Sequence, residues 1–211
     1  MIEQWDAEAY AAAVLRLCGL DGVDSPNAAV VAKRLKIGIY WAEPGTLEDK
    51  AELTPLEGGG WAIRVRRDLD TPALWFAIAH ELGHLFQRKL RLVVPDEELF
   101  ANQFAAALLL PREPLRFAWR QSRDLEVAIA AFPAVPATCV ALRLGEAGLA
   151  DVFVVEAGQI KHARTNDNTS PDGIVALASR AIRAGRVALP GLHAVRLPDG
   201  HKRAAVVIDA A

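Results

Sequence analysis

Residues 71–90 read TPALWFAIAHELGHLFQRKL, and the spacing of residues within this stretch decides the fold. Thr71 followed by Pro72 is a helix-start signal, because the hydroxyl can cap free amides and proline suits the first helical turn. Apolar residues then recur at helical spacing to about Lys89. The stretch therefore predicts one long helix.

Two histidines lie in the middle of this predicted helix, within the sequence HELGH of residues 80–84. At 3.6 residues per turn His80 and His84 lie one above the other, so both imidazoles can reach a single cation. Zinc binds neutral imidazole nitrogens, and a catalytic zinc ion keeps one position open for water, which it acidifies. The spacing predicts half of a zinc site, with Glu81 at the edge of the same face and placed to accept a proton.

The alternative is a pair of solvent-facing histidines on an amphipathic helix. The opposite face of the helix argues against it, because that face is apolar and predicts a helix packed inside the fold. The polar face of a packed helix then needs a partner. The apolar face consists of Leu74, Ile78, Leu82 and Leu85.

The third protein ligand must come from another part of the chain. One large class of zincins has a histidine six residues after the second one, but Leu90 stands there, so this class is excluded. A carboxylate from the next helix is the remaining common solution, and that helix offers Glu97 and Glu98. Glu98 is favoured because it shares a face with small residues, which allow close helix approach, and with Asn102, whose amide could hold the ligand carboxylate. Glu97 shares its face with larger apolar residues, which suits a core contact.

The composition limits the classes of function. The chain has 211 residues, 52% hydrophobic and 24% charged, as expected for a folded protein. A net charge of −2 supplies no attraction for phosphate backbones or anionic lipid, so we expect neither nucleic acid nor membrane as a direct partner. The first residues lack the pattern of a secretory leader, and we expect a cytoplasmic protein. Cys18 and Cys139 are expected to be buried small hydrophobes.

Apolar periodicity and turn signals divide the rest of the chain into short elements. Helices are predicted at 7–17, 27–35, 96–111, 125–131, 136–144 and 173–184. Strands are predicted at 37–41, 61–66, 152–156, 159–163, 194–197 and 203–208. A linker is predicted at 166–172, and a turn at 198–200.

Two segments of the chain resemble the ImmA/IrrE family of bacterial and phage metallopeptidases. These are HELGHL at 80–85 and ELFANQFAAALLLP at 98–111, and the resemblance extends over roughly residues 25–147. It implies that His80, His84 and Glu98 bind zinc, that Glu81 is the catalytic base, and that the protein cleaves a partner transcriptional repressor. The residues before HELGH and at the end of the preceding strand depart from the family pattern, so we expect metal binding to be kept and substrate contacts to differ.

From the pattern and the resemblance together we predict an α+β fold. A zincin-like metallopeptidase core, mostly helical with a small sheet, is expected over 1–149. A small α/β appendage of unknown role is expected over 150–211. The predicted function is that of a zinc-dependent endopeptidase acting on a partner regulatory protein. The alternative is a non-hydrolytic, zinc-stabilised module that regulates a partner by binding, and the presence of Glu81 beside both histidines favours the enzyme.

The strand predicted at 61–66, WAIRVR, directly precedes the metal helix and alternates apolar and basic residues. Zincins commonly hold an extended substrate along a sheet edge beside the metal. We therefore expect an edge strand, with Ala62, Arg64 and Arg66 facing the substrate. The alternative is that the two arginines form a solvated strand face.

The helix pair at 125–131 and 136–144 admits two interpretations. A DNA-reading helix-turn-helix needs several cations, whereas the second helix offers only Arg143, so a packing hairpin is favoured. The oxyanion-stabilising residue is left unassigned. Four further polar residues are interpreted as surface or strand-packing residues, namely Tyr40, His162, His193 and His201.

Overall fold

The computed structural model describes residues 6–165, 173–189, 192–198 and 202–209, and it has the predicted α+β fold. The chain divides into two compact units, Met1–Pro111 and Arg112–Ala211. The expected domain boundary after Leu149 stays a prediction. The predicted linker at 166–172, His201 and most of the predicted turn at 198–200 lie outside the described residues.

The first unit contains four helices and three strands among its described residues. The helices are α1 (Ala7–Leu17), α2 (Ala28–Arg34), α3 (Thr71–Leu90) and α4 (Glu97–Leu109). The strands are β1 (Gly38–Ala42), β2 (Ala51–Pro55) and β3 (Trp61–Arg66). α3 packs against α4, β2 and β3, so it lies at the centre of the unit.

Aspartates cap the two central helices. The carboxylate of Asp70 accepts a hydrogen bond from the amide of Ala73 at 2.9 Å, so the N-cap of α3 is Asp70 and the prediction of Thr71 was wrong by one residue. Thr71 is instead the first helical residue. Asp96 caps α4 in the same way, accepting from the amide of Leu99 at 2.9 Å.

β3 is the central strand of its sheet, with the order β1-β3-β2. It pairs in parallel with β1 and antiparallel with β2. The expectation that residues 61–66 form an edge strand is therefore wrong, because a strand that the sequence did not predict covers one side. Ile63 and Val65 are fully buried as a result.

β2 is an edge strand of this sheet as far as the described residues show, and we call the side away from β3 its free side. The amide of Arg66 donates to the carbonyl of Lys50 at 3.0 Å, and the amide of Leu56 donates to that of Gly60 at 3.2 Å. Because such bonds alternate along an antiparallel pair, the backbone groups of residues 51, 53 and 55 face away from β3. Pro55 fits there because it has no amide hydrogen to lose.

The second unit contains the other four helices and five strands of the described residues. The helices are α5 (Arg112–Ser122), α6 (Leu125–Ala131), α7 (Ala137–Glu146) and α8 (Ile174–Ala184). The strands are β4 (Ala150–Glu156), β5 (Gln159–Arg164), β6 (Arg186–Leu189), β7 (Leu192–Arg196) and β8 (Arg203–Asp209). They form one antiparallel sheet in the order β5-β4-β8-β7-β6, and α8 covers an apolar cluster that includes Phe153, Val155 and Val206.

The predicted helix pair corresponds to α6 and α7. α7 packs against β4 and β5, and a Cβ added at Gly145 would collide with the Cβ of Arg164. Most residues of α7 are buried, including Arg143. This burial favours the packing hairpin over a DNA-reading helix. Both cysteines are buried free thiols, as predicted.

None of the described helices is both long and apolar enough to cross a membrane.

Proline substitutions on one rung of the sheet test the central position of β3. Val65 faces Ala51 across the β2–β3 pair, and both side chains are buried. Val65→Pro removes an amide that points towards β1, so we expect the free energy of unfolding to fall by about 2 kcal/mol or more. Ala51→Pro removes an amide on the free side and should cost clearly less. Urea denaturation measures both, and equal losses would contradict this arrangement.

Candidate metal centre

Three side chains meet between α3 and α4. The Nε2 atoms of His80 and His84 are 3.0 Å apart. One carboxylate oxygen of Glu98 lies 3.1 Å from His84 Nε2, and the other lies 3.3 Å from His80 Nε2. These three residues are the one group of potential metal ligands found among the described residues, and together they could hold a metal ion. The side chain of Glu97 is exposed and lies outside this group.

Close contact between two small residues brings Glu98 to the histidines. A Cβ added at Gly83 would lie 2.9 Å from the Cα of Ala101, closer than side-chain carbons approach in proteins. Glycine at 83 therefore lets α3 and α4 approach more closely than any other residue would. Ala101 belongs to the small-residue face for which Glu98 was favoured over Glu97.

Gln87 fixes the protonation of His84. The side-chain amide nitrogen of Gln87 donates to the carbonyl of Glu97 at 3.0 Å, so its oxygen faces His84. That oxygen lies 2.9 Å from His84 Nδ1 and can only accept a hydrogen bond, so Nδ1 carries the proton. In the neutral ring of His84, the Nε2 atom therefore presents a lone pair to the centre.

Asn102 accepts a hydrogen bond from the outer nitrogen of His80, as Gln87 does from His84. Its Oδ1 atom lies 3.1 Å from His80 Nδ1, which leaves the lone pair on Nε2. The sequence predicted an amide that holds the ligand carboxylate, but this contact of Asn102 is with one of the two candidate ligand histidines. Holding the outer nitrogen of a ligand histidine is a common supporting role around metals.

The converging atoms are spaced like ligands of a single ion. Two imidazole Nε2 atoms and a carboxylate face each other at 3.0–3.3 Å. In a tetrahedral site with bonds of 2.0–2.1 Å, neighbouring ligand atoms are roughly 3.3 Å apart. The donor atoms therefore fit a small divalent ion.

The electrostatic surroundings favour neutral imidazole and a basic carboxylate. Burial, together with the charge of His84, lowers the pKa of His80, so this ring is neutral at pH 7. Burial raises the pKa of Glu81, against smaller lowering effects from His84, Arg88 and the backbone amide of Leu53. A carboxyl pKa raised towards neutrality suits a group that accepts a proton and releases it again.

The residues predicted to contact substrate are buried or form ion pairs within the protein. Ala62 is 1% exposed and offers almost no surface. Arg64 pairs with Glu52 at 2.6 Å, and Arg66 pairs with Asp68 at 2.7 Å. The role of Ala62, Arg64 and Arg66 in substrate binding stays a prediction.

Sequence reasoning missed two neighbours of the centre. Gln87 received no role, although its spacing of three from His84 places both residues on one helical face. Leu53 gave no signal, because its position beside Glu81 depends on a strand that was not predicted. Only the first of the two could have been found from the sequence.

Substitution of each ligand tests the metal site. His80→Ala, His84→Ala and Glu98→Ala should each lose most of the bound metal, because each removes one of three protein ligands. Glu97→Ala is the matched control and should keep it. Elemental analysis of the purified variants measures the metal content, and a Glu98→Ala protein with full metal content would exclude this carboxylate.

Substitution of Gln87 tests the supporting hydrogen bond. Gln87→Met fills similar space without an acceptor, so we expect the metal affinity to fall about 10- to 100-fold. Gln87→Glu keeps an acceptor for His84, so its metal affinity should fall less than that of Gln87→Met. Competition with a chelator measures both affinities, and an unchanged affinity of the Gln87→Met protein would show that this contact is unimportant.

The chain is similar to known proteins in sequence family and in fold. Residues 38–145, about half of the chain, match the M78 peptidase family described as the IrrE N-terminal-like domain. No curated protein sequence matches the chain. A solved structure of a Mycobacterium tuberculosis transcriptional regulator is similar in fold, with a TM-score of 0.63 and 19% identity over 97% of this chain and 76% of that one. The chain belongs to the M78 peptidase family with the IrrE N-terminal-like domain.

Proposed function

We propose that this protein is a zinc-dependent endopeptidase that cleaves a regulatory protein. One observation carries the proposal: two imidazole Nε2 atoms and the Glu98 carboxylate converge beside the buried carboxylate of Glu81. Membership of a peptidase family supports the reaction class.

Zinc is the ion that this donor set suits best. Two neutral imidazole nitrogens and one carboxylate oxygen are a usual set for catalytic zinc, which leaves a further position open. His80, His84 and Glu98 would hold the ion. When bound, it would supply Lewis acidity, polarising the scissile carbonyl and making water easier to deprotonate.

Glu81 would carry the proton in this reaction. Its carboxylate accepts a proton from the attacking water and later delivers it to the leaving nitrogen. Burial serves this exchange, because the raised pKa of Glu81 makes the carboxylate a stronger base than a solvated one. Asn102 and Gln87 keep the two imidazoles in the tautomer that leaves Nε2 unprotonated.

The substrate would bind along β2 rather than β3. The amide of Ala51 and the carbonyls of Ala51, Leu53 and Pro55 on the free side of β2 are the groups that would pair with an extended peptide. The backbone amide of Leu53 acts on Glu81, so this side of β2 lies next to the proposed base. We retain Arg64 and Arg66 as secondary substrate contacts, which a substrate carboxylate would reach only by competing with Glu52 and Asp68. We also retain Ala62 as a secondary substrate contact, although its side chain offers little surface.

The proposed partner is a transcriptional repressor in the cytoplasm. This choice rests on the family resemblance, in which such a repressor is cleaved. The similar solved structure is that of a transcriptional regulator, which is compatible with this choice. The chemistry of the centre is independent of the partner, so a different protein substrate would leave the proposed reaction unchanged.

Glu81→Gln tests whether the protein is an enzyme. The amide keeps the shape of the carboxylate but cannot take a proton, so cleavage should fall by at least about 100-fold while zinc and partner stay bound. Glu97→Gln makes the same chemical change on the exposed neighbour of a ligand and should leave cleavage intact. The partner can be captured from cell extract on the Glu81→Gln protein and then offered to the wild type.

The same experiment separates the two proposed classes of function. Cleavage of the captured partner by the wild type alone supports the peptidase. A captured partner that the zinc-loaded wild type also leaves whole would favour the non-hydrolytic binding module. Undiminished cleavage by the Glu81→Gln protein would remove Glu81 from the chemistry.

A further inference from the structure

The arginines around β3 differ in whether a carboxylate already neutralises them. Arg64, Arg66 and Arg67 each form an ion pair within the protein, the last with Glu43 at 3.4 Å. Arg88, near the end of α3, forms no ion pair among the residues that the structure describes. Its exposed guanidinium is therefore free to bind a carboxylate from another molecule.

Aromatic stacking holds this guanidinium in place. The Cζ atom of Arg88 lies 5.3 Å from the ring centroid of Trp61, within the range of a cation–π interaction. A guanidinium held over a ring keeps N–H donors that point away from the ring and can bind a carboxylate. A side chain fixed in this way loses less conformational entropy when it binds a carboxylate than a freely rotating lysine would.

Arg88 lies on the same side of α3 as the metal centre. It follows His84 by four residues and Glu81 by seven, which places all three on one helical face. Long helical side chains also point back towards the N-terminus of their helix, here towards the centre. The charge of Arg88 lowers the pKa of Glu81, although burial, the largest influence, raises it.

The position of Trp61 relates Arg88 to the proposed path of the substrate. Trp61 pairs with Pro55 of β2, two residues beyond Leu53, whose amide acts on Glu81. Two strand residues span about 7 Å. A peptide that runs along β2 past Glu81 would therefore reach the stacked guanidinium about two residues from its scissile bond.

We propose that Arg88, stacked on Trp61, is a specificity-determining residue that binds an aspartate or glutamate side chain of the substrate about two residues from the scissile bond. This inference rests on the proposed endopeptidase function and goes beyond it by naming the chemistry of one substrate position. It also replaces Arg64 and Arg66, which are paired, with Arg88 as the main cationic contact.

Cleavage of a synthetic peptide mixture, randomised at every position, tests the proposal. Cut sites are identified by mass spectrometry for the zinc-loaded wild type, Arg88→Gln, Arg88→Glu and the control Lys89→Glu. Lys89 is also exposed but points to another side of α3, and its variant has the same net charge as Arg88→Glu. Zinc content and circular dichroism are measured for each variant.

The wild type and the Lys89→Glu protein should prefer acidic residues at one fixed position. Arg88→Gln should lose this preference, and Arg88→Glu should select lysine or arginine there instead. For two peptides that differ only by glutamate or glutamine at that position, we expect kcat/KM to differ about threefold to tenfold in the wild type, mainly through KM.

Two results would overturn this inference without affecting the proposed function. One is cleavage by the wild type with no acidic preference at any position. The other is a uniform loss of activity in the Arg88 variants with the preference unchanged, which is the result expected if the Arg88–Trp61 stack is only structural. A zinc-loaded wild type that cuts no peptide in the mixture would overturn this inference together with the proposed function.

Discussion

The close approach of α3 and α4 is the constraint on which the rest of the first unit depends. α3 carries two of the three candidate ligands, His80 and His84, and α4 carries the third, Glu98. Neither helix alone can bind an ion tightly. Gly83 allows the approach because its missing Cβ would lie only 2.9 Å from the Cα of Ala101. Replacing such a glycine by alanine gains about 0.5–1 kcal/mol of helix propensity but costs about 1–3 kcal/mol in overpacking, so the contact outweighs the propensity.

A chain of hydrogen bonds connects the same two helices through Gln87. It runs from the carbonyl of Glu97, through the amide of Gln87, to Nδ1 of His84. Because Gln87 is 5% exposed, water competes little for these bonds. The first turn of α4 therefore contributes twice to the centre, once through the carboxylate of Glu98 and once through the backbone carbonyl of Glu97.

Helical spacing was sufficient to predict which side chains converge between α3 and α4, because these side chains lie on two regular helices. His80, His84 and Glu81 follow from the period of α3, and Glu98 was preferred for the small residues beside it, which the structure shows in contact with α3. Helical spacing does not predict which distant segments pair in a sheet. β2 is short, carries polar residues and ends with Pro55, so its local sequence does not predict a strand.

Because β2 was not predicted, β3 was expected to be an edge strand. The local sequence indicates the conformation of a segment but not which segments pair. α5 was missed because Pro114 interrupts the pattern in its first turn, where a proline is in fact tolerated. The contact of Asn102 with His80 was not predicted, for a related reason. The period of α4 places it near the centre, but only the packing of the two helices decides which ligand it contacts.

The three converging side chains differ greatly in their access to solvent. The side chain of Glu98 is 70% exposed, whereas those of His84 and His80 are 12% and 18% exposed. An ion arriving from solution meets the carboxylate first, and the imidazoles behind it are already oriented by Gln87 and Asn102. A bound ion would therefore exchange with solution past the exposed carboxylate of Glu98, on the open side of the centre, rather than past the two imidazoles, and the fold would not have to open.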